Sequence, residues 1–173
     1  GEIEGLACLP LFLACRAGVR AVVAMARTEQ LAVEEQTELR AEIRRNARLA
    51  DAYLLPPKPV LVAIGGLSGT GKSTLAALLA AHVGSPPGAL HVRSDVERKR
   101  LFGVPETQRL DRQHYRIGTA ERVYDIVEDK ARRALAARHA VIVDAVFAKQ
   151  EEREAIEAIA REAGCPFVGL WLN

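Results

Sequence analysis

Glycines, a lysine and hydroxyl side chains at 65–74, GGLSGTGKST, are spaced in a way that suits phosphate binding. The stretch follows the apolar run VLVAI at 60–64, and a helix is predicted over 72–83. Glycines allow backbone N–H groups to surround phosphate oxygens, and the N-terminus of a helix adds partial positive charge. The spacing G-x-x-x-x-G-K-S between a buried strand and a helix is a Walker A motif, which predicts a nucleotide-binding loop.

The predicted nucleotide-binding residues are Gly66, Leu67, Ser68, Gly69, Thr70, Gly71, Lys72, Ser73 and Thr74. Lys72 is expected to reach the β- and γ-phosphates of ATP, and the Ser73 hydroxyl is expected to ligate Mg²⁺. Motor proteins, switches and kinases share this loop, so the loop predicts a ligand and leaves the reaction open.

A second group of candidate residues follows a short predicted strand at 89–92. Asp95 comes just after that strand, and Arg98 comes one helical turn later. Parallel α/β sheets place their sites at the carboxyl ends of strands. A carboxylate there can accept the proton of a hydroxyl that attacks the γ-phosphate, and an arginine can orient the acceptor or neutralise phosphate charge. Taken alone, Asp95 also fits a helix N-cap and Arg98 a solvated helix face. Their position relative to the glycine-rich loop instead favours a catalytic role, so Lys72, Asp95 and Arg98 are the predicted catalytic residues.

The apolar strand predicted at 140–147 contains the third candidate, Asp144, in VIVDAVF. An apolar strand that ends in aspartate is the Walker B arrangement, in which the carboxylate holds Mg²⁺ through water or supports the loop serine. Any strand can run into a turn aspartate, so the order of the motifs along the chain carries this prediction. Ser73 and Asp144 are therefore the predicted metal residues.

Strands and helices alternate from residue 60 onward, which predicts an α/β fold with a parallel sheet between two helical layers. Further helices are expected from Asp95 to Gly103, at 119–138 and at 149–164, a polar loop at 109–118, and a last strand at 166–173. Trp171 in that strand is expected to be core. The four histidines show no ligand spacing and are expected to be structural or solvated.

The first third of the chain has a different pattern. A helix that is apolar on most sides is predicted over 6–27 and a second helix over 29–54, and LLPPKP then interrupts helical structure. The prolines place a boundary between residues 1–55 and 56–173. A signal peptide is not expected because Glu2 and Glu4 precede the apolar run, and Arg16 and Arg20 shorten it below the length of about 20 residues that a membrane span needs.

The charge balance of the chain argues mildly against nucleic acid as its partner. The chain has 24 basic and 22 acidic residues and a formal charge of +2, whereas nucleic-acid binders usually show a stronger basic excess. Its three cysteines form no C-x-x-C motif, and Cys8 and Cys15 are expected to be two reduced core thiols, which suits the cytoplasm.

Four stretches resemble the P-loop kinases of the AAA_33 type: LVAIGGLSGTGKSTLA, RSDVERKRLFG, AERVYDIVEDKARRALAARHAVIVDAVF and AGCPFVGLWL. That group is related to zeta toxins, gluconate kinases, chloramphenicol phosphotransferase and polynucleotide 5′-kinases. The resemblance implies an ATP·Mg²⁺-dependent kinase in which Asp95 is the base and Arg98 the arginine that follows it. It also implies that residues 1–55 are the last helices of an upstream aminoglycoside-phosphotransferase-like domain.

Two departures from the family pattern are visible. The family commonly has D-A-T-F where this chain has Val146, so a hydroxyl contact is lost there. The family also continues after the WL strand with an arginine-bearing lid helix, a fifth strand and a final helix, so the chain is expected to be a fragment.

Three functions are compatible with these residues. A small-molecule kinase comes first, in which ATP donates its γ-phosphate to a hydroxyl acceptor. A regulatory module that only binds ATP for the upstream domain, and a polynucleotide 5′-hydroxyl kinase, are the alternatives.

Overall fold

The computed structural model describes residues 3–28, 36–110 and 117–173 and divides the chain into two compact units, Gly1–Pro57 and Lys58–Asn173. The division falls in the proline-rich connector, two residues after the boundary expected from the sequence. The origin of the first unit in a phosphotransferase-like domain stays a prediction.

The first unit contains a 3₁₀ turn, Glu4–Ala7, and two packed helices, α1 (Leu9–Thr28) and α2 (Gln36–Leu54). Part of the second predicted helix, 29–35, lies outside the described residues. The buried side of α1 is a stripe of alanines at helical spacing, namely Ala14, Ala17, Ala21 and Ala24. Small side chains allow α2 to approach closely, and Leu39 and Asn46 of α2 are buried in the same unit.

The larger apolar side chains of α1 face outward. Leu11, Phe12, Val19, Val22, Val23 and Met25 are each at least 56% exposed. A helix that is apolar on most sides is normally buried, but this face of α1 is exposed. The prediction of core thiols is wrong for Cys8 and Cys15, which are exposed; all three cysteines are free, and Cys165 is partly buried.

Helix α1 is long and apolar enough to cross a membrane by length and composition alone. The expectation that Arg16 and Arg20 make this segment too short is therefore not met. One helix of this kind near an N-terminus is weak support for a membrane span, because core helices and signal sequences have the same composition.

The second unit is built on four parallel strands, which confirms the predicted α/β class. They are β1 (Leu61–Gly66), β2 (Leu90–Arg93), β3 (Val141–Asp144) and β4 (Phe167–Leu172), in the spatial order β2-β3-β1-β4. The intervening helices are α3 (Lys72–Ala80), α4 (Ser94–Leu101), α5 (Ile117–Ala136) and α6 (Gln150–Glu162). Residues 111–116, in the polar loop expected at 109–118, lie outside the described residues, and α5 begins at Ile117, inside that loop.

Both faces of the central strands β1 and β3 are covered. Val62, Ile64 and Ile142 pack with Ala76 of α3 on one face. On the other face α5 contacts β2 and β3, and its fully buried side chains are Val123, Val127, Ala131 and Ala134. Each buried valine or isoleucine contributes about 1.5–3 kcal/mol, so this double-sided burial stabilises the central strands.

Strand register brings three chain segments to one edge of the sheet. Ile64 of β1 and Arg93 of β2 both pair with Asp144 of β3. β2 and β3 end at this pair and β1 ends two residues later, and the parallel direction places all three carboxyl ends at one edge. The loop after β1, the start of α4 after β2 and the end of β3 consequently meet at this edge.

Candidate active site

The glycine-rich loop connects β1 to α3 through backbone conformations that glycine favours. Gly69 and Gly71 have φ values of 89° and 85°, and a Cβ atom at either would meet no heavy atom within 4 Å. Glycine is therefore required at these two positions for its backbone conformation, because a side chain would have room there. Gly66, with φ 139°, differs because a Cβ there would also collide with the Leu172 carbonyl oxygen.

Lys72 lies across this loop. Its side chain is buried, with 9% exposure for the residue, and Nζ donates to the Leu67 carbonyl at 2.6 Å. Thr70 Oγ1 donates to the same carbonyl at 2.9 Å. The ammonium group is thus held against the loop that is predicted to surround phosphate.

Ser73 joins the loop to β3. Its Oγ donates to Asp144 Oδ2 at 2.5 Å, and His91 Nε2 lies 3.6 Å from the same oxygen. Burial raises the pKa of Asp144, but the proximity of His91, the Ser73 hydrogen bond and the Lys72 charge outweigh it, so the pKa is lowered. Asp144 is therefore a buried, ionised carboxylate beside the loop.

The oxygens of Ser73 and Asp144 fit Mg²⁺ in their chemistry. A hydroxyl and a carboxylate are hard donors, and Mg²⁺ is usually held by one or two protein groups together with waters and substrate phosphates. Among residues 3–28, 36–110 and 117–173, no group of three or more His, Cys, Asp or Glu side chains forms an all-protein metal cage. The donor set suits a metal ion shared with a nucleotide.

Asp95 lies in the first turn of α4, and its side chain is 47% exposed. Lys99 Nζ lies 3.1 Å from Asp95 Oδ2 and donates to the Glu106 carbonyl at 2.6 Å. On another side of the same helix, Glu97 is buried and receives Lys130 of α5 at 2.7 Å. This ion pair fixes α4 against α5 while Asp95 and Arg98 line the cleft.

One cleft of about 810 Å³ brings the predicted residues together. It is lined by Ser68, Gly69, Gly71, Lys72, Ser73, Thr74, Asp95, Arg98 and Asp144. Gly66, Leu67 and Thr70 of the predicted loop are not among its lining residues. The structure places the other predicted residues around one cleft, and the roles assigned to them stay predictions.

The cleft also contains residues that sequence reasoning missed, namely Arg93, Lys99, Arg109, Tyr124 and Glu152. His91 was expected to be structural or solvated; its side chain is 16% exposed and lies beside Asp144. For Arg93 and Lys99 the sequence did contain a signal, which is their position relative to Asp95. Arg93 comes directly after the predicted strand and before Asp95, and Lys99 follows Asp95 by one helical turn. Tyr124 and Glu152 enter the cleft from α5 and α6, and no local pattern predicts that.

The segment after β3 forms one wall of the cleft. Phe147 is buried and has φ 51°, and its N–H donates to Tyr124 Oη at 2.9 Å. Arg153 Nη1 donates to the Phe147 carbonyl at 2.7 Å. Burial of the Tyr124 phenol raises its pKa, so it stays protonated. Val146 is 38% exposed in this wall, where the resemblance placed a threonine hydroxyl.

Trp171 of β4 is 49% exposed, so its prediction as a core residue is wrong. Its ring nevertheless lies over Gly65 of β1, where an added Cβ would come within 2.7 Å of Trp171 Cε3. The indole N–H donates to Asn173 Oδ1 at 2.9 Å.

The sequence of this chain is similar to one protein-family model and to proteins of two mycobacteria. A family model described as an AAA domain matches residues 61–173. An uncharacterized protein of Mycobacterium tuberculosis strain H37Rv is 33% identical over 155 residues, which is 87% of this chain and 30% of the relative. A protein of Mycobacterium bovis matches to the same extent. The chain thus spans about a third of the length of these relatives.

Solved structures share the fold. One chain of the Pnkp1/Rnl/Hen1 complex has a TM-score of 0.52 and 22% identity, and the match covers 67% of this chain and 36% of that one. The Mycobacterium tuberculosis APS kinase CysC in complex with AMPPNP and APS has a TM-score of 0.50 and 21% identity, and the match covers 68% and 64%. At these identities the likeness concerns the fold alone.

Proposed function

We propose that this chain, which belongs to the AAA_33 family of AAA domains, is a kinase. It binds ATP with Mg²⁺ and transfers the γ-phosphate to a hydroxyl of a small-molecule acceptor. The observation that carries the proposal is the single cleft in which the loop residues Lys72 and Ser73 meet Asp144, Asp95 and Arg98. Nucleotide binding alone would need only the loop side of this cleft.

The nucleotide half of the cleft is assigned to the loop. Backbone N–H groups of Gly69 and Gly71 and of the first turn of α3 face phosphate oxygens, and Lys72 neutralises the β- and γ-phosphates. Ser73 and Asp144 are the residues that would hold Mg²⁺, which supplies positive charge to the transferred phosphoryl group. Asp144 also fixes the Ser73 hydroxyl, so the donors are oriented before nucleotide binds.

The acceptor half is assigned to α4. Asp95 accepts the proton of the acceptor hydroxyl while the hydroxyl oxygen bonds to the γ-phosphorus. The bond from that phosphorus to the β,γ-bridging oxygen breaks, and ADP leaves. Lys99, 3.1 Å from one carboxylate oxygen, keeps Asp95 oriented, and Arg98 balances charge on the phosphoryl group.

The relatives are much longer than this chain, so the whole protein's organisation is part of the proposal. We assign residues 1–55 to the end of an upstream aminoglycoside-phosphotransferase-like domain and residues 56–173 to the kinase core. A cytoplasmic location follows from the supply of ATP there and agrees with three free cysteines.

Acceptor-dependent ATP consumption by the full-length protein tests the proposal. A panel of hydroxyl metabolites should contain a compound that raises ADP release above the rate without acceptor, with the phosphate recovered on that compound. ATP binding with no acceptor-dependent turnover would favour a regulatory module instead. Phosphorylation of a 5′-hydroxyl oligonucleotide would favour a polynucleotide kinase.

A further inference from the structure

Arg93, the last residue of β2, lines the cleft together with Lys72 and Ser73 but has no role in the scheme above. Its Nε atom is buried, and none of the described residues accepts a hydrogen bond from it. The residue as a whole is partly exposed, so the cleft reaches the rest of its side chain. Buried polar groups nearly always have partners, and an exception calls for a functional explanation.

The nearest candidate partner within the sheet is already engaged. Arg93 is aligned with Asp144 in the strand register, but the Asp144 carboxylate contacts Ser73 and His91 instead. No carboxylate of the described residues forms an ion pair with Arg93. Its guanidinium group is therefore a cation in the cleft that the described part of the chain leaves to a ligand.

The strand register also fixes the face of the sheet from which this side chain projects. Ile64, Asp144 and Arg93 are aligned across β1, β3 and β2, and aligned residues of parallel strands point to the same face. Ile64 packs with Ala76 of α3, and Asp144 accepts the Ser73 hydroxyl. Arg93 therefore lies on the face that carries α3, whose first turn is the predicted phosphate-binding turn.

The order of the strands places Arg93 between the nucleotide and the acceptor. The carboxyl ends of β1, β3 and β2 form a row, with neighbouring strands about 4.8 Å apart. The glycine-rich loop follows the first strand of this row, Asp144 ends the second, and Asp95 follows the third. In the proposed function the loop holds the phosphates and Asp95 holds the acceptor hydroxyl, so the γ-phosphate must lie between them. Arg93 occupies this stretch of the edge.

We propose that Arg93 is a further catalytic residue whose guanidinium group binds the γ-phosphate of ATP during transfer, an inference that rests on the proposed function. The paired N–H donors of a guanidinium match two oxygens of one phosphate. Their positive charge stabilises the phosphoryl group while its bond to the β,γ-bridging oxygen breaks and its bond to the acceptor oxygen forms. ADP lacks the group that Arg93 binds, whereas Lys72 is expected to contact both nucleotides.

This difference between nucleotides gives a test that needs no acceptor. In the full-length protein with Mg²⁺, calorimetry compares the affinity for ADP with that for AMPPNP, an ATP analogue that keeps a third phosphate. Arg93→Gln should weaken AMPPNP binding by about tenfold or more and ADP binding by less than about threefold. The ratio of the two affinities is the measured quantity, because damage to the loop or to folding would weaken both nucleotides together.

Two further variants make the result decisive. Arg161→Gln is the matched control, since it removes the same charge from α6 at a side chain that is 75% exposed and outside the cleft, and it should leave the ratio unchanged. Arg93→Lys covers the case in which Arg93→Gln fails to fold. Lysine keeps the charge without the paired donors, so it should weaken AMPPNP binding by about threefold or more and leave ADP binding unchanged.

Equal weakening of AMPPNP and ADP in the folded Arg93 variants, or no weakening of either, overturns the inference and leaves the proposed function standing. Wild-type protein that binds neither nucleotide refutes the proposed function, and the role of Arg93 is refuted with it.

Discussion

Ser73 Oγ and Asp144 Oδ2 lie 2.5 Å apart, although 71 positions separate the two residues in the chain. The hydrogen bond ties the first turn of α3 to the end of β3. The glycine-rich loop is therefore anchored on both of its flanks by the sheet, through β1 on one side and through Asp144 on the other.

Asp144→Asn should separate metal-dependent from metal-independent nucleotide binding. The amide keeps the shape of the side chain but removes the charge that suits Mg²⁺. ATP affinity with Mg²⁺ should fall at least tenfold, whereas affinity in EDTA should change less than threefold. Calorimetry under both conditions measures this, and an equal loss in both would assign Asp144 a purely structural role.

Lys72→Ala should severely weaken nucleotide binding. The substitution removes the fixed cation at the β- and γ-phosphates, where each charged hydrogen bond contributes roughly 1.5–3 kcal/mol. The dissociation constant for ATP should rise at least tenfold by calorimetry. Lys58→Ala, at an exposed lysine of the same unit, should leave it unchanged, and unaltered affinity in Lys72→Ala would refute the loop assignment.

Asp95→Asn should affect the chemical step in the full-length protein. Loss of a general base lowers turnover by roughly 10²–10⁴-fold, while ATP affinity should stay near normal because Asp95 lies on the acceptor side. Steady-state kinetics and calorimetry give the two quantities. Asp129→Asn, at an exposed carboxylate of α5, is the control. Lost binding with no separate effect on turnover would instead favour a structural or metal role for Asp95.

Lys130→Met should destabilise the second unit through Glu97. The carboxylate of Glu97 is 6% exposed, and Arg100 at 3.1 Å would be its one charged partner left among the described residues. The free energy of unfolding should fall by about 1–3 kcal/mol, measured by urea denaturation. Adding Glu97→Gln should recover part of the loss because the buried charge is then gone; a strictly additive double variant would argue against a pairwise interaction.

His139 should make stability depend on pH. Burial lowers its pKa below the ordinary value of 6.5, and a hydrogen bond with the Gly88 backbone opposes this in part. The folded protein therefore prefers the neutral ring, so this contribution is complete above pH 6.5 and is lost as the pH falls from there to the lowered pKa. The wild-type protein should lose more unfolding free energy between pH 7.5 and 5.5 than His139→Gln; equal losses would contradict the prediction.

The residues that the sequence identified share one property, which is that a local pattern marks each of them. The glycine-rich loop follows an apolar strand, Asp144 ends one, and Asp95 follows another. Once the sheet is parallel, all three must lie at the same edge. The fold class and the main elements of the cleft were therefore predictable.

Tyr124 and Glu152 could not be found in this way, because packing of α5 and α6 on the sheet decides which of their side chains enter the cleft. The end of β3 also differed from the prediction. The apolar run continues to Phe147, but the strand stops at Asp144, and Tyr124 and Arg153 instead hydrogen-bond the Phe147 backbone. Helix α1 is apolar on most sides, so its sequence does not indicate which face is buried. The structure buries the alanine stripe and leaves the larger side chains exposed.

The contact between Gly65 and Trp171 has an evolutionary consequence. A Cβ atom at position 65 would come within 2.7 Å of the indole ring, so any larger residue there would push into Trp171. Replacement of Gly65 should be tolerated only where position 171 holds a smaller residue, so the two positions are expected to covary among relatives. Substitution at Trp171 of the exposed strand β4 is thereby coupled to Gly65, which comes immediately before the phosphate-binding motif.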